Sequence, residues 1–575
     1  MVSTNESVYC WSGCKILIDP LCIEMMKSVK YILFAALTFA NLSCEDYLER
    51  LPLDNPSDET FLSTEAELDL AVTGVYNTLW YEGSTDVTGP FFPMLDAASD
   101  IGWDRNNSAL QNLGLGIANA DNAWASSYWS AFYRGIGRCN YILSKAEPLA
   151  AKMSAEKYNR SMAEVRFLRA YYYFFLNEMY GGVPLLTKPV SLAESKVPRS
   201  SKQQVSDFIL AELDAVTADL FPETSTKNKG RVNKGAALAL NGKYEIAAKA
   251  ADDLMKMGTY SLHPSFPELF QYAGQNSKEI IFTVQYLKGT KVHSMPRFFF
   301  SRIALGHSNK IPVQALVDSY ECTDGLTIDK SPLFDPKKPF ENRDPRLSHT
   351  VVLPQTRFIN YMFETHPDSL MTWDYTTTPA KRVANVEATH AYATFSGYCW
   401  RKYADVADYP DINNSDLDII LFRYAEVLLN YAEAKIELNQ LDASVYEAIN
   451  AVRGRATVKM PPISAGKTQA ELRSIVRRER KVEFAGEGLR LFDIHRWKIG
   501  EDAMKGPLRG RVRNAFLTNA PRIDENGTPH YENVTNESKM RVIEIRTYRN
   551  DRDNVWPIPR LEREVNPALE QNPNY

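Results

Sequence analysis

Apolar residues recur at helical spacing near both ends of the chain. Between residues 418 and 438 they fall on one helix face, and a second such pattern follows at 445–452 after the turn Asn439–Asp442. Two amphipathic helices joined by a short turn form a hairpin. The first apolar face consists of Leu421, Ala425, Leu428, Leu429, Ala432 and Ile436. The same spacing predicts helices within 64–79, 122–147, 156–180 and 202–220.

Two of the predicted helices carry a start signal. Thr64 is followed three residues later by Glu67, and Thr468 by Glu471. In such a capping box the threonine side chain binds the backbone N–H of the glutamate, whose carboxylate binds back to the threonine. We therefore expect helices to begin directly after Thr64 and Thr468.

The middle of the chain has a different pattern. From about 259 to 415, short β-branched or aromatic runs such as Ile280–Val284 alternate with loops rich in Pro, Gly and Asp. This predicts an irregular region with few short strands. Just before it, residues 234–257 have a helical pattern in which Asn241-Gly242 either turns the chain or interrupts one helix, at a cost of about 1 kcal/mol. The sequence leaves both interpretations open.

The start of the chain indicates a secretion signal. The apolar run Tyr31–Ala40 follows a lysine-containing flank and is too short to span a bilayer. It continues into Asn41–Asp46 (NLSCED), which ends as bacterial lipoprotein signals do, so Cys44 is predicted to become an acylated N-terminus. Asn41 stands where leucine is usual. The alternative is an ordinary secretory signal with an incidental cysteine.

Charge and cysteine content narrow the class of protein. The formal net charge is −5. Residues 1–43 contain equal numbers of acidic and basic residues, so the mature chain keeps this negative charge, and nucleic-acid binding is not expected. Beyond Cys44, the residues Cys139, Cys322 and Cys399 give neither an even disulfide framework nor a CxxC pair. Phosphate-binding glycine loops, HExxH and GxSxG motifs are absent. We therefore expect no metal, no cofactor and no enzymatic activity.

Several sequence blocks, in order, resemble the SusD/RagB surface lipoproteins of outer-membrane nutrient-uptake systems in Bacteroidetes-type bacteria. Each block is weak alone, but together they span nearly the whole mature chain. The blocks are Ala163–Leu176, Tyr180–Pro184, Val197–Ser200, Asn342–Arg346, Ser396–Tyr398, Arg423–Ala434, Arg477–Phe484, Glu487–Trp497, Pro557–Pro559 and Asn566–Tyr575.

The resemblance implies a mainly α fold, in which tetratricopeptide-like helical hairpins pack against an irregular, loop-rich subdomain with few short strands. It also implies a lipid-anchored protein on the outer face of the outer membrane. Such a protein captures oligosaccharides and delivers them to a SusC-like TonB-dependent transporter. Peptide binding within the same uptake family is the alternative, followed by a surface glycoside hydrolase or a tetratricopeptide scaffold.

The predicted organisation has five segments. Residues 1–43 are a signal peptide with a non-native N-terminal extension, and residues 44–62 are the lipid anchor and a tether. Residues 63–258 form an N-terminal helical part, residues 259–415 an irregular, ligand-facing part, and residues 416–575 a C-terminal helical part. The helical stretch usual in the family is shortened near 236–258, which puts the hairpin there in question.

Two loops fit the requirements of sugar binding. Sugar rings have apolar faces and polar edges, so a binding site needs exposed aromatic rings beside polar groups. The loops Asp100–Asn107 and Met371–Thr378 both combine these residue types. For their tryptophans, the sequence leaves ligand contact and packing in the core equally open. The candidate ligand-binding residues are Trp103, Asp104, Asp100, Trp373 and Tyr375.

Other conspicuous residues have structural interpretations. Asp96, Asp100 and Asp104 have the chemistry of glycosidase carboxylates, but turn capping or polar ligand contact in a loop is the favoured interpretation. The charged block Arg477–Phe484 is interpreted as a helix whose charges pair locally or with neighbouring helices. The tryptophans inside family-like blocks are predicted to be buried, namely Trp124, Trp129, Trp497 and Trp556.

Overall fold

Helices form most of the regular structure. The computed structural model describes residues 61–81, 91–105, 108–225, 227–240 and 244–575, and residues from Leu62 onward form one unit. Cys44 and the predicted signal peptide lie outside the described residues. The helices are α1 (Glu65–Tyr76), α2 (Phe91–Leu95), α3 (Ala109–Leu115), α4 (Ala123–Lys145), α5 (Ala155–Tyr180), α6 (Lys202–Val216), α7 (Lys234–Ala239), α8 (Tyr244–Lys256), α9 (Met295–Phe299), α10 (Gln314–Ser319), α11 (Arg346–Thr350), α12 (Val386–Thr389), α13 (Tyr424–Glu437), α14 (Ala443–Arg453), α15 (Gln469–Glu483), α16 (Arg490–Trp497), α17 (Gly500–Met504), α18 (Asn550–Asp553) and α19 (Arg560–Val565).

The strands are short and pair antiparallel in small sheets. They are β1 (Gly102–Asp104), β2 (Ile280–Val284), β3 (Lys310–Pro312), β4 (Val351–Val352), β5 (Thr356–Phe358), β6 (Tyr361–Phe363), β7 (Met371–Asp374), β8 (Lys381–Ala384), β9 (Cys399–Trp400), β10 (Ile419–Arg423), β11 (Gly506–Arg509), β12 (Arg522–Ile523), β13 (Pro529–His530) and β14 (Val542–Arg546). Strands β5 to β8 form a four-stranded sheet in chain order, and the two-stranded sheets are β1–β3, β2–β10, β4–β9, β11–β14 and β12–β13. The predicted strand at Ile280–Val284 is confirmed.

Both predicted capping boxes are present. Helix α1 begins after Thr64 and α15 after Thr468, and in each the threonine side chain accepts from the glutamate N–H three residues later. Each glutamate carboxylate accepts from the threonine N–H in return. These helix starts follow from local sequence because both partners of the motif lie within one turn.

Aromatic side chains fill the space between the long helices of the N-terminal part. Helix α4 packs on α5, α5 packs on α6, and α1 contacts both α4 and α5. Tyr171 and Tyr172 of α5 are fully buried, and the Tyr172 hydroxyl donates to the Val75 carbonyl at 2.8 Å. The predicted burial of four tryptophans is confirmed for Trp124, Trp129, Trp497 and Trp556. Within the described residues, every helix is too short or too polar to span a bilayer.

The segment 234–257 contains two helices. Helix α7 ends at Ala239 and α8 begins at Tyr244, so the first interpretation, in which the chain turns, agrees with the structure. The Asn241-Gly242 pair itself lies outside the described residues. Helix α8 packs on both α7 and α13, and β2 pairs with β10. The first contact joins the predicted N-terminal part to the C-terminal part, and the strand pair joins the middle part to the C-terminal part. The predicted boundaries at 258 and 415 therefore do not coincide with separate units, and they stay a prediction.

The charged block Arg477–Phe484 lies largely on α15 and is structural, as predicted. Its buried Glu483 accepts hydrogen bonds from Arg346, Arg423 and Arg455 at 2.8 to 3.0 Å. These arginines come from α11, from the end of β10 and from the segment after α14. The block therefore ties several elements together through buried ion pairs, rather than offering a binding patch.

Candidate functional site

The four-stranded sheet of β5 to β8 has two different faces. Successive side chains of a strand point to opposite sides of a sheet. Phe358 and Phe363 lie on the inner face and pack in a buried cluster with Phe300. On β7, Thr372 and Asp374 are buried, whereas Met371 and Trp373 are exposed. The Trp373 side chain is 39% exposed, so the outer face presents an accessible indole ring.

Guanidinium groups accompany the aromatic rings of this outer face. The strand register places Arg382 of β8 opposite Trp373, and the guanidinium lies 5.1 Å from the centre of the indole ring. A second guanidinium, that of Arg357 on β5, lies 4.8 Å from the centre of the Tyr375 ring. We call the set Arg357, Trp373, Tyr375 and Arg382 the aromatic face. It combines flat apolar rings with hydrogen-bond donors, which suits sugar hydroxyls.

Hydrogen bonds in the β7–β8 turn fix the position of Tyr375. Its N–H donates to the Asn360 carbonyl at 2.8 Å, which ties the end of β7 to the β5–β6 hairpin. The Asp374 carboxylate accepts from the Thr376 hydroxyl at 2.6 Å and from the Thr376 N–H at 2.8 Å. These two bonds hold the pKa of Asp374 below its usual value. The ionised carboxylate therefore keeps the turn closed.

Trp103 lies in the core. It belongs to β1, which pairs with β3, and its side chain is 4% exposed. The indole N–H donates to Glu544 at 2.7 Å, and the ring stacks on Phe395 with centres 5.3 Å apart. Of the two interpretations that the sequence left open for Trp103, packing in the core agrees with the structure, because partners distant in sequence cover the ring. A ligand contact by Trp103 stays a prediction.

Asp100 and Asp104 are also buried, and each has a cationic partner. Asp100 accepts from Arg490 at 2.8 Å and lies 3.0 Å from the Lys481 ammonium. Although burial alone would raise the pKa of Asp100, these two cations outweigh burial and hold it well below its usual value. Asp104 accepts from Lys310 at 2.7 Å. A glycosidase general acid needs a raised pKa, so Asp100 is unsuited to that role.

Asp96 has the opposite pKa shift but is closed off from solvent. One carboxylate oxygen accepts from the Gly486 N–H at 2.7 Å and the Gly488 N–H at 3.2 Å. Burial raises the pKa of Asp96 to about 7. Because the side chain is fully buried, it joins the glycine turn to the N-terminal part and does not face a substrate.

Sequence analysis missed Arg357 and Arg382 as members of the aromatic face. A signal for Arg382 was available, since pairing the runs 371–374 and 381–384 as a hairpin places it opposite Trp373. No such local signal exists for Arg357, because its contact with Tyr375 depends on the pairing of β6 with β7. Of the predicted site residues, Trp373 is thus exposed and Tyr375 is partly exposed.

Comparison with known families covers most of the chain. A family model described as "SusD family" matches residues 278–575. Another, described as "Starch-binding associating with outer membrane", matches residues 46–244. The chain belongs to the SusD family. Among curated SusD-like proteins, one from Formosa agariphila is 25% identical over 516 residues, which is 84% of this chain and 92% of the relative.

Solved SusD-like structures share the fold. A SusD-like carbohydrate-binding protein from Bacteroides fragilis is 30% identical with a TM-score of 0.76, covering 89% of this chain and 100% of that one. Surface glycan-binding protein A from Bacteroides thetaiotaomicron, solved with laminarihexaose, is 19% identical with a TM-score of 0.62, covering 89% and 100%. The mainly α, tetratricopeptide-like architecture predicted from the sequence is therefore confirmed.

Proposed function

We propose that this SusD-family protein binds oligosaccharides at the aromatic face without transforming them. The observation that carries the proposal is the exposed indole of Trp373 with Arg382 beside it. A relative that is 30% identical over nearly the whole chain is named a carbohydrate-binding protein, which supports the same ligand class. The burial of Asp100 and Asp104 in ion pairs supports binding rather than hydrolysis.

The aromatic face suits reversible capture. A sugar ring stacks its C–H face on the indole, while the guanidinium of Arg382 and the Tyr375 hydroxyl bond its hydroxyl groups. The face is open and its rings are held by strand pairing, so little ordering accompanies binding. These properties favour weak to moderate affinity and rapid release.

In this proposal the captured oligosaccharide passes to a SusC-like TonB-dependent transporter in the outer membrane. The protein is anchored through acylated Cys44 and faces the exterior. The family description "associating with outer membrane" supports the location, and the apolar run before Cys44 supports the anchor. Co-purification of a TonB-dependent barrel with the detergent-extracted protein tests the partnership.

The change Trp373→Ala tests the binding site. We expect it to weaken retention in affinity electrophoresis on a panel of polysaccharide gels, because the stacking surface is lost. The expected loss is about 1 kcal/mol, or roughly fivefold in affinity. The melting temperature should change little, since the ring is part of an exposed face.

The matched control is Phe516→Ala, which removes an exposed aromatic ring elsewhere. It should leave retention unchanged. Equal retention of wild type and Trp373→Ala on every polysaccharide that the wild type binds would contradict the proposed site. Retention of an acidic or neutral peptide, with no response to any polysaccharide, would favour the peptide-binding alternative instead.

A further inference from the structure

Two guanidinium groups donate to the same backbone carbonyl in the segment 392–395. Arg105 Nη1 and Arg302 Nε both donate to the Tyr392 carbonyl oxygen, at 2.5 and 3.0 Å. These two arginines come from the end of β1 and from the loop after α9. Placing two like charges against one oxygen is unfavourable unless another group offsets the repulsion.

Two more arginines approach the same segment from the C-terminal part. The Arg541 guanidinium lies 3.8 Å from the centre of the Phe395 ring, and Arg105 lies 5.5 Å from it. Arg513 donates to the Thr394 carbonyl. We call this set the arginine cluster, which consists of Arg105, Arg302, Arg513 and Arg541.

Acidic side chains offset only part of the positive charge of the arginine cluster. In the described part of the chain, none of its guanidinium groups forms an ion pair with a carboxylate. The carboxylate of Glu387, which is fully buried, opposes the lowering of the pKa values of Arg302 and Arg513 by burial. The carboxylate of Asp104 opposes the same lowering of the pKa for Arg105, but it is already paired with Lys310. The four guanidinium groups therefore carry more positive charge than these two carboxylates offset.

The pKa values express this imbalance. Burial, and then the charge of Arg302, lower the pKa of Arg105 to about 10. Burial, and then the charge of Arg541, do the same for Arg513. By contrast, Arg346 and Arg423 are ion-paired with buried glutamates, and their pKa values lie well above the usual value. An anion bound at the cluster would relieve the repulsion.

An exposed aromatic ring stands beside the arginine cluster. The Tyr392 side chain is 59% exposed, and the Arg105 guanidinium lies 5.2 Å from the centre of its ring. The segment that carries Tyr392 follows directly after β8 and α12 and thus continues from the strand that holds Arg382. A ring for stacking and unpaired guanidinium groups for a charged substituent therefore occur together.

We propose that the arginine cluster recognises the carboxylate or sulfate group of an acidic oligosaccharide, with Tyr392 stacking on a neighbouring sugar ring. This inference rests on the proposed oligosaccharide binding and adds the substrate class. A guanidinium binds carboxylate and sulfate oxygens through paired, charge-assisted hydrogen bonds. Each cluster arginine has five N–H donors, so the bonds to backbone carbonyls leave donors for a ligand.

Isothermal titration of the full mature chain tests the inference with three hexasaccharides: oligogalacturonate for the carboxylate, κ-carrageenan hexasaccharide for the sulfate and laminarihexaose as the neutral probe. We expect one acidic probe to bind about tenfold tighter than the neutral one. Its affinity should fall on raising NaCl from 50 to 500 mM, since salt screens charge attraction. The carboxylate and sulfate arms identify which group is recognised.

Arg541→Gln is the first test variant, because its described contact is with the Phe395 ring rather than with a backbone carbonyl. Arg302→Gln is the second, and Arg522→Gln, at an exposed surface pair, is the control. We expect each cluster variant to lose roughly fivefold or more in affinity for the acidic probe and to keep laminarihexaose affinity. The control should bind as wild type, and melting temperatures verify folding.

The outcomes separate the two proposals. If acidic and neutral probes bind equally, or if folded cluster variants bind the acidic probe as wild type does, the inference is overturned. If, in either case, Trp373→Ala still loses laminarihexaose binding, the proposed function stands without the further inference. Binding of poly-glutamate and of no saccharide would overturn both proposals, as would no binding at all.

Discussion

Trp103 and Trp373 occupy opposite environments, and their substitution should separate stability from binding. Trp103→Ala removes a buried ring stacked on Phe395 and leaves Glu544 without its indole donor. We expect a loss of about 3 to 5 kcal/mol in the free energy of unfolding, as for other buried tryptophans. Urea denaturation followed by tryptophan fluorescence or circular dichroism measures it.

Trp373→Ala is the comparison for that measurement. Its ring is partly exposed, so the expected loss of stability is within about 1 kcal/mol. Similar losses for the two variants would show that Trp373 also supports the core. That result would remove the reason for treating the aromatic face as a binding surface.

Local sequence could not distinguish these two tryptophans. Each stands between polar residues in a segment without a helical apolar face. The burial of Trp103 depends on β3 and on Glu544, which is 441 positions away along the chain. The exposure of Trp373 depends on the pairing of β7 with β8, which directs it away from the inner face of the sheet. Both the burial and the exposure therefore depend on tertiary structure.

At the scale of elements, α15 connects its neighbours through Glu483. Burial would raise the pKa of Glu483, but Arg423, Arg455 and Arg346 outweigh it and hold the pKa well below its usual value. A carboxylate with a lowered folded-state pKa stabilises the fold above its unfolded pKa, and the stabilisation is lost as pH falls. We expect the free energy of unfolding to decline below about pH 4.5.

The variant Glu483→Gln tests this connection. It leaves three buried guanidinium groups without their shared anion, so we expect a loss of about 3 to 5 kcal/mol at pH 7. The decline in stability with acid should also become shallower. The control is Glu447→Gln on α14, whose side chain is exposed. Identical acid profiles for the wild type and Glu483→Gln would contradict this role of Glu483.

Elements with local causes were predictable, and elements with distant partners were not. The starts of α1 and α15 follow from capping boxes at Thr64 and Thr468, where both partners lie within one turn. The charged block of α15 was correctly interpreted as structural. Its partners were not identifiable, because Arg346 and Glu483 lie 137 positions apart along the chain. Only folding brings them together.

For the whole molecule, the proposed lipid anchor at Cys44 can be tested by substitution. The variant Cys44→Ser should abolish metabolic labelling with palmitate, because the serine hydroxyl cannot accept the thioether-linked lipid. It should also release the protein from the outer-membrane fraction, since the acyl chains supply the membrane affinity. Immunoblotting of fractionated cells measures both effects.

The control for this measurement is Cys139→Ser, which alters a buried thiol of the helical part. It should be labelled and fractionated like the wild type. Palmitate incorporation that survives Cys44→Ser would contradict the anchor. Labelled wild-type protein that resists protease added to intact cells would instead contradict the exterior orientation.

The pairing of β2 with β10 constrains how the chain acquires its structure during synthesis. Arg423 at the end of β10 binds Glu279 just before β2, although 144 positions separate them. Contacts of such long range form slowly, and they require both segments to be present. A ribosome that has made only the first 400 residues has therefore supplied β2 without its partner strand. The part of the interior that is built on this strand pair therefore closes only when the last quarter of the polypeptide has been made.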